Sequence, residues 1–220
     1  MRNVARAKAK KVEPAAEGQR LARIEPLQQR SRERFERILS CAIEVMTEKG
    51  SDAFKMSDIA ERTGIPFGSL YQYFPDKTAV IATLAVRYNA RGHACVRKEI
   101  AALTDIGKLH AVLGGIADSY FQYFIDEPAV FHIWQATQGD RALQKLDEED
   151  GMFLTGMLID ALRPLAPDVS ESALVTFCQT IMVMIAATVR HAIVLPPKEG
   201  RRTMALVRRL MPHAPEASEP

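Results

Sequence analysis

The chain is poor in the groups from which cross-links, metal centres and common active sites are built. Its three cysteines, Cys41, Cys95 and Cys178, stand far apart, with no C-x-x-C pair and no histidine at zinc-ligand intervals. That excludes a disulfide framework or zinc finger and fits a reduced, intracellular chain. No G-x-S-x-G, H-E-x-x-H, P-loop or glycine-rich dinucleotide fingerprint occurs, so the usual enzyme signatures are missing and no cofactor is implied. Alternating apolar and polar runs bounded by turn signals are absent too, which removes strands from the expected fold.

Leader and membrane signals are also weak. The charges of the N-terminus precede no apolar run before Phe35, and Glu13, Pro14 and Glu17 suit an amphipathic transit peptide poorly. The expected compartment is the cytoplasm. One segment, ALVTFCQTIMVMIAATVRHAIVL at 173–195, is long enough to span a bilayer, but Gln179 lies inside it and Arg190 and His191 interrupt its last turns. It reads as a helix apolar nearly all round, buried between its own domain and something else, with no membrane partner.

What is present is a globular composition, 47% hydrophobic and 25% charged over 220 residues, whose net charge of +2 hides an asymmetry. Residues 1–30 hold eight Lys/Arg against three acidic residues, and the remainder is slightly acidic. This first stretch reads as a flexible basic arm, either entering a DNA minor groove or serving as a solubilising tail. From Ser31 the pattern turns helical, with Phe35, Ile38, Leu39, Ala42, Ile43, Val45 and Met46 at three- and four-residue steps and Lys49-Gly50 as the end signal. The short helix MSDIAERT follows and Gly64 ends it. Pro66 opens the next brief helix, Pro75 stops it, and Asp76 caps a long one. Further helices are predicted over 108–125, 128–138, 140–163, 170–195 and 200–211, separated by Pro, Gly and Asp turns. The tail from 212 to 220 is expected to be disordered.

The densest information lies in GIPFGSLYQYFPDK, residues 64–77. Aromatics are only 7% of the chain, yet Phe67, Tyr71, Tyr73 and Phe74 fall within eight positions. On a helix, Leu70 and Phe74 face the preceding helix as core candidates. Gly68, Ser69, Gln72 and Tyr73 lie on another face, with Phe67 and Tyr71 at its edge. Helix, tight glycine turn and a second short helix with a small, polar, hydroxyl-bearing face make the pattern of a helix-turn-helix.

Residues 35–80 closely resemble the DNA-binding domain of the TetR family of bacterial transcriptional regulators. Gly50, Phe54, Asp58-Ile59-Ala60, Gly64, Gly68, Leu70-Tyr71, Tyr73-Phe74 and Lys77 stand at the family's spacing. The resemblance implies an all-α protein with an N-terminal three-helix helix-turn-helix domain (31–77) and a larger C-terminal helical domain (78–211) for effector binding and dimerisation. It implies that Lys55, Ser57, Tyr71, Tyr73 and Lys77 contact phosphates, that Gly68 and Ser69 lie against the bases, with Pro66 and Phe67 also among the DNA-binding residues, and that Arg32 and Arg34 are further backbone candidates. Two positions depart from the family. Lys55 stands where Ser or Thr usually caps the first motif helix, leaving its amides to solvent or Ser57. Pro66-Phe67 replace a Ser and a basic residue, and Phe67, which cannot donate a hydrogen bond, is expected to read a thymine methyl or pack on sugar.

In the C-terminal half, residues 173–195 and the helix with Met204, Leu206, Val207 and Leu210 suit a dimeric four-helix bundle, which would present two recognition helices to a palindromic operator. Aromatic and methionine residues there serve either as core or as the lining of an apolar effector pocket, for which Tyr120, Phe124, Trp134, Phe153 and Phe177 are the candidates. The acidic run at 147–150 points around a helix rather than at one ion, so it reads as solvated surface, and no metal is expected. The function expected is a homodimeric, ligand-responsive repressor of transcription, with double-stranded DNA and a small, largely apolar effector as partners. A ligand-independent architectural DNA-binding protein and a small helical enzyme are the alternatives.

Overall fold

The computed structural model describes residues 29–215. The expected arm at 1–30 falls outside them except for its last two residues, as does the end of the tail from 216. Among the described residues every regular element is helical: α1 (Gln29–Lys49), α2 (Met56–Thr63), α3 (Phe67–Tyr73), α4 (Lys77–Ile100), α5 (Leu109–Asp126), α6 (Ala129–Gln138), α7 (Arg141–Leu162), α8 (Glu171–Ile193) and α9 (Pro197–Leu210), with single 3-10 turns at Ile106–Lys108 and Arg163–Leu165. The all-α architecture read from the sequence is the one found, most helix ends lying within two or three residues of their expected places.

The described chain forms two compact units. The first runs to Val86 and takes in His132–Leu146; the second comprises Arg87–Phe131 and the residues from Asp147 onward.

In the first unit, the apolar stripe of α1 is buried as its periodicity demands, through Phe35, Ile38, Leu39, Ala42, Val45 and Met46. Gly50 closes the helix at φ 82°, its amide on the Met46 carbonyl at 2.9 Å. Two ion pairs then fasten α2 to α1. Arg62 makes a fork on Glu48, one nitrogen at 2.9 Å from Oε1 and the other on Oε2, and Lys49 Nζ meets Asp58 Oδ1 at 2.9 Å. Gly64, at φ 65°, ends α2 in the left-handed conformation that side chains disfavour. At the start of α4 the carboxylate of Asp76 accepts from the Ala79 amide at 2.8 Å, the cap expected of it.

The second unit is built around α5, α8 and α9, which pack on one another. Leu109, Val112, Leu113, Ile116 and Phe124 of α5 meet the buried face of α8, Leu174, Cys178, Ile181, Ile185 and Val189, and Met204 and Val207 of α9. Ser170 caps α8 through its hydroxyl, 3.3 Å from the Ala173 amide. Beyond α9 the chain is held to α5: His110 Nδ1 donates to the Met211 carbonyl at 2.7 Å, and its ring stacks on His213 with centroids 4.2 Å apart. By length and composition α8 could cross a membrane. Its burying face belongs instead to this helical core, while Val183 and Met184 lie exposed on another face and Val194 is exposed just beyond its end.

Candidate nucleic-acid interface

Helix α3 is too short to be stable alone, so its position is dictated by what it buries. Leu70 and Phe74 are fully buried, as expected, and Phe74 stacks on Phe35 of α1 with centroids 5.0 Å apart. The inward face is broader than the sequence suggests. Tyr73, expected on the outer face, is also buried; its ring meets Phe35 edge-on at 6.2 Å and its hydroxyl lies 2.7 Å from that of Ser31. The reason is the approach of α1, whose first two turns offer a hydroxyl, from Ser31, and an aromatic edge, from Phe35.

The outer face of α3 is then Phe67, Gly68, Tyr71 and Gln72, all exposed, with Ser69 half-buried beside them and Pro66 exposed at the helix start. Phe67 is 48% and Tyr71 42% exposed, and their rings stack, centroids 6.2 Å apart and planes 23° apart. A side chain at Gly68 would meet open space, so this face is sterically accessible.

Lys55 and Ser57 are exposed at the start of α2. Lysine has no lone pair to offer an amide, so only the reciprocal half of a capping box forms: the Lys55 backbone N–H donates to Asp58 Oδ2 at 3.0 Å. The Lys49 ammonium, and after it this amide bond, hold the Asp58 carboxyl below the usual carboxylate range. Lys77 is engaged from within. Its Nζ donates to the carbonyls of Ser51 at 2.8 Å and Asp52 at 3.3 Å and lies 5.6 Å from the centre of the buried Phe54 ring. Arg32 and Arg34 are exposed on α1.

Of the effector candidates, Trp134 belongs to the first unit and the other four to the second. Tyr120 and Phe124 meet edge to face at 5.0 Å, and Phe124 is buried. Phe153 is half-exposed against His93, ring centres 4.6 Å apart, and Phe177 is half-buried on α8. The acidic run is only in part the solvated surface expected of it: Glu148 is exposed, but Asp147 and Asp150 turn inward. Asp147 pairs with Arg190 of α8 at 3.4 Å and Asp150 with His93 of α4 at 2.5 Å, because positions three apart on α7 share a face. Burial raises the Asp150 carboxyl, an effect the His93 hydrogen bond partly offsets, and burial also raises the Tyr120 phenol, against the opposing influence of Arg190. His93 carried no signal in the sequence, since its partner lies 57 residues away.

A short helix braced by two others, its core side anchored and its outer side presenting small residues and rings, defines a helix-turn-helix DNA-binding protein. The chain belongs to the TetR family of bacterial transcriptional regulators. Residues 38–84 match the family model "Bacterial regulatory proteins, tetR family", and residues 107–214 match "Tetracyclin repressor-like, C-terminal domain". Regulators of this family bind DNA operators.

Among curated proteins it is 44% identical over 52 residues to the uncharacterized HTH-type transcriptional regulator YvdT of Bacillus subtilis, a match covering 24% of this chain and 27% of that one. It is 31% identical over 84 residues to the HTH-type transcriptional repressor KstR of Mycobacterium tuberculosis, covering 38% of each chain. The chain therefore spans well under half the length of these curated relatives. A putative TetR-family regulator from Syntrophomonas wolfei, of known crystal structure, superposes with a TM-score of 0.65 at 14% identity, covering 80% of this chain and 92% of that one, which is a likeness of fold.

Proposed function

We propose that this protein is a homodimeric repressor that binds a palindromic operator through α3 and releases it when a small, largely apolar molecule binds the C-terminal domain. The observation that carries the reading is the division of α3: Leu70, Tyr73 and Phe74 fix it to its neighbours while Pro66, Phe67, Gly68 and Tyr71 face outward. Such a helix fits a major groove, with Ser69 beside the bases and with Lys55 and Ser57 reaching phosphates. In this arrangement Tyr73 and Lys77 act chiefly by holding the motif together.

Dimerisation is supported by the uncovered apolar positions of α8, its C-terminal edge and α9. Val183, Val194, Leu206 and Leu210 are exposed, and two copies of this helix pair related by a two-fold axis would bury them in a four-helix interface. The effector site is assigned to the second unit, near Tyr120, Phe124 and Phe177. Helix α4 contributes residues to both units and is the segment through which a ligand binding the DNA-incompetent form more tightly would shift operator affinity. Bacterial DNA lies in the cytoplasm, and so would this protein.

The test is fluorescence anisotropy with a palindrome from the promoter nearest the coding region, over a salt series. Binding about a thousandfold tighter than to scrambled DNA, falling steeply with salt, establishes operator reading. Equal affinity for both DNAs would instead favour an architectural protein.

A further inference from the structure

Helix α3 carries no charged side chain: its sequence is FGSLYQY. A recognition helix of this composition has no arginine or lysine with which to grip guanine O6 and N7, the commonest specific contact in the major groove. What it presents is the stacked pair Phe67 and Tyr71, one helical turn apart on the outer face, each with close to half its surface open. No other exposed large apolar side chains occur on the three helices of the motif among the described residues. The apolar surface is thus concentrated where the groove would lie.

We propose that Phe67 and Tyr71 form an apolar wedge that reads thymine 5-methyl groups, so that each operator half-site requires thymine opposite Phe67. The inference rests on the DNA-binding reading above and adds the chemical feature that α3 selects. In the major groove thymine alone among the four bases carries a methyl group; guanine, adenine and cytosine are read there by their donors and acceptors. A phenyl ring set against those edges would strip them of water and return no hydrogen bond, a cost against the wrong base that adds to what methyl burial gains at the right one. The ring centres are 6.2 Å apart. With base pairs about 3.4 Å apart along the duplex, the pair covers no more than two steps, so a second thymine read by Tyr71 falls within two base pairs of the first. Exposed Pro66 and Gly68 on either side of Phe67 leave its ring room to reach the groove floor.

The experiment uses the full chain and the tightest palindrome recovered by selection from random DNA. Each thymine in turn is replaced by deoxyuridine, which removes the methyl group and leaves pairing intact, and anisotropy is read for the wild type, Phe67→Ala and Phe67→Leu. The expected result is one or two positions per half-site at which deoxyuridine weakens wild-type binding about fourfold, the loss of one buried methyl. At the position opposite Phe67 the effect should disappear in Phe67→Ala and persist in Phe67→Leu, which keeps an apolar contact; a second position, read by Tyr71, should keep its penalty in both variants. Because Phe67 is exposed, thermal melting should show all three proteins equally folded.

Tight, sequence-specific binding that tolerates every deoxyuridine would overturn the thymine reading and leave operator recognition standing, placing Phe67 on sugar or backbone. A deoxyuridine penalty undiminished at every sensitive position in Phe67→Ala would overturn the assignment to Phe67. Failure of selection to enrich any sequence would overturn the operator reading on which the inference rests.

Discussion

The hydroxyls of Ser31 and Tyr73 lie 2.7 Å apart, joining the first turn of α1 to the last residue of α3 across 42 positions of sequence. With the edge-on contact between Tyr73 and Phe35, this bond sets the direction in which α3 leaves the core. Tyr73→Phe keeps the ring and deletes the bond. Stability should fall by about 1 kcal/mol, the usual net worth of a neutral hydrogen bond, measured by urea unfolding. If Tyr73 acts by positioning, affinity for scrambled DNA stays unchanged; a several-fold loss on operator and scrambled DNA alike would show instead that its hydroxyl holds a phosphate.

Lys77 presents the same choice with a charge at stake. Its ammonium ties the start of α4 to the turn after α1 through the carbonyls of Ser51 and Asp52. Lys77→Met retains most of the stem over Phe54 and removes the donors. We expect unfolding free energy to drop by about 1 to 2 kcal/mol while the salt slope for operator binding stays within error of wild type. Unchanged stability with a shallower slope would return Lys77 to the phosphate backbone.

These two residues mark the limit of what the sequence discloses. The helices and the helix-turn-helix were legible because their signals are local: apolar residues at three- and four-residue steps, Gly50 and Gly64 at helix ends, Asp76 at a cap. Which face of α3 is buried depends on Phe35 and Ser31, some forty residues upstream, and no spacing within GIPFGSLYQYFPDK encodes that. The acidic run on α7 shows the same thing. Asp147 and Asp150 looked solvated because Arg190 and His93, their partners, are 43 and 57 residues distant. Phe67 and Tyr71 were placed at an edge by periodicity, and the structure exposes both.

Gly200 is a position where only the absence of a side chain permits the observed packing. A Cβ there would lie 2.5 Å from the carbonyl oxygen of Ala192, backbone that cannot swing aside, and 3.6 Å from the Phe121 ring. Gly200→Ala should force α9 away from α8 and destabilise the protein by about 1 to 3 kcal/mol despite the better helix propensity of alanine. Calorimetry checks the stability. Because these two helices carry the proposed dimer surface, size-exclusion chromatography with light scattering should also show a weaker dimer.

Cys178 gives a pH dependence whose sign can be worked out. The thiol is fully buried on the core face of α8, and burial pushes its pKa up to about 11 from an ordinary 9.0. In the unfolded chain the thiol ionises near its ordinary value; in the folded chain it stays neutral until far higher pH. Its contribution to stability is therefore fully present below pH 9 and is lost as the pH rises from 9 through 11. Two pH units of displacement set a ceiling of about 2.7 kcal/mol on that loss. Burial raises the phenols of Tyr88, Tyr120 and Tyr123 as well, so the wild type alone does not isolate the thiol. Urea unfolding of wild type and Cys178→Ala at pH 8, 9, 10 and 11 does. The alanine variant should start lower, having lost the sulfur's packing, and lose less stability across the alkaline range. Parallel curves for the two proteins would show that Cys178 ionises as readily folded as unfolded and that the core around α8 admits solvent.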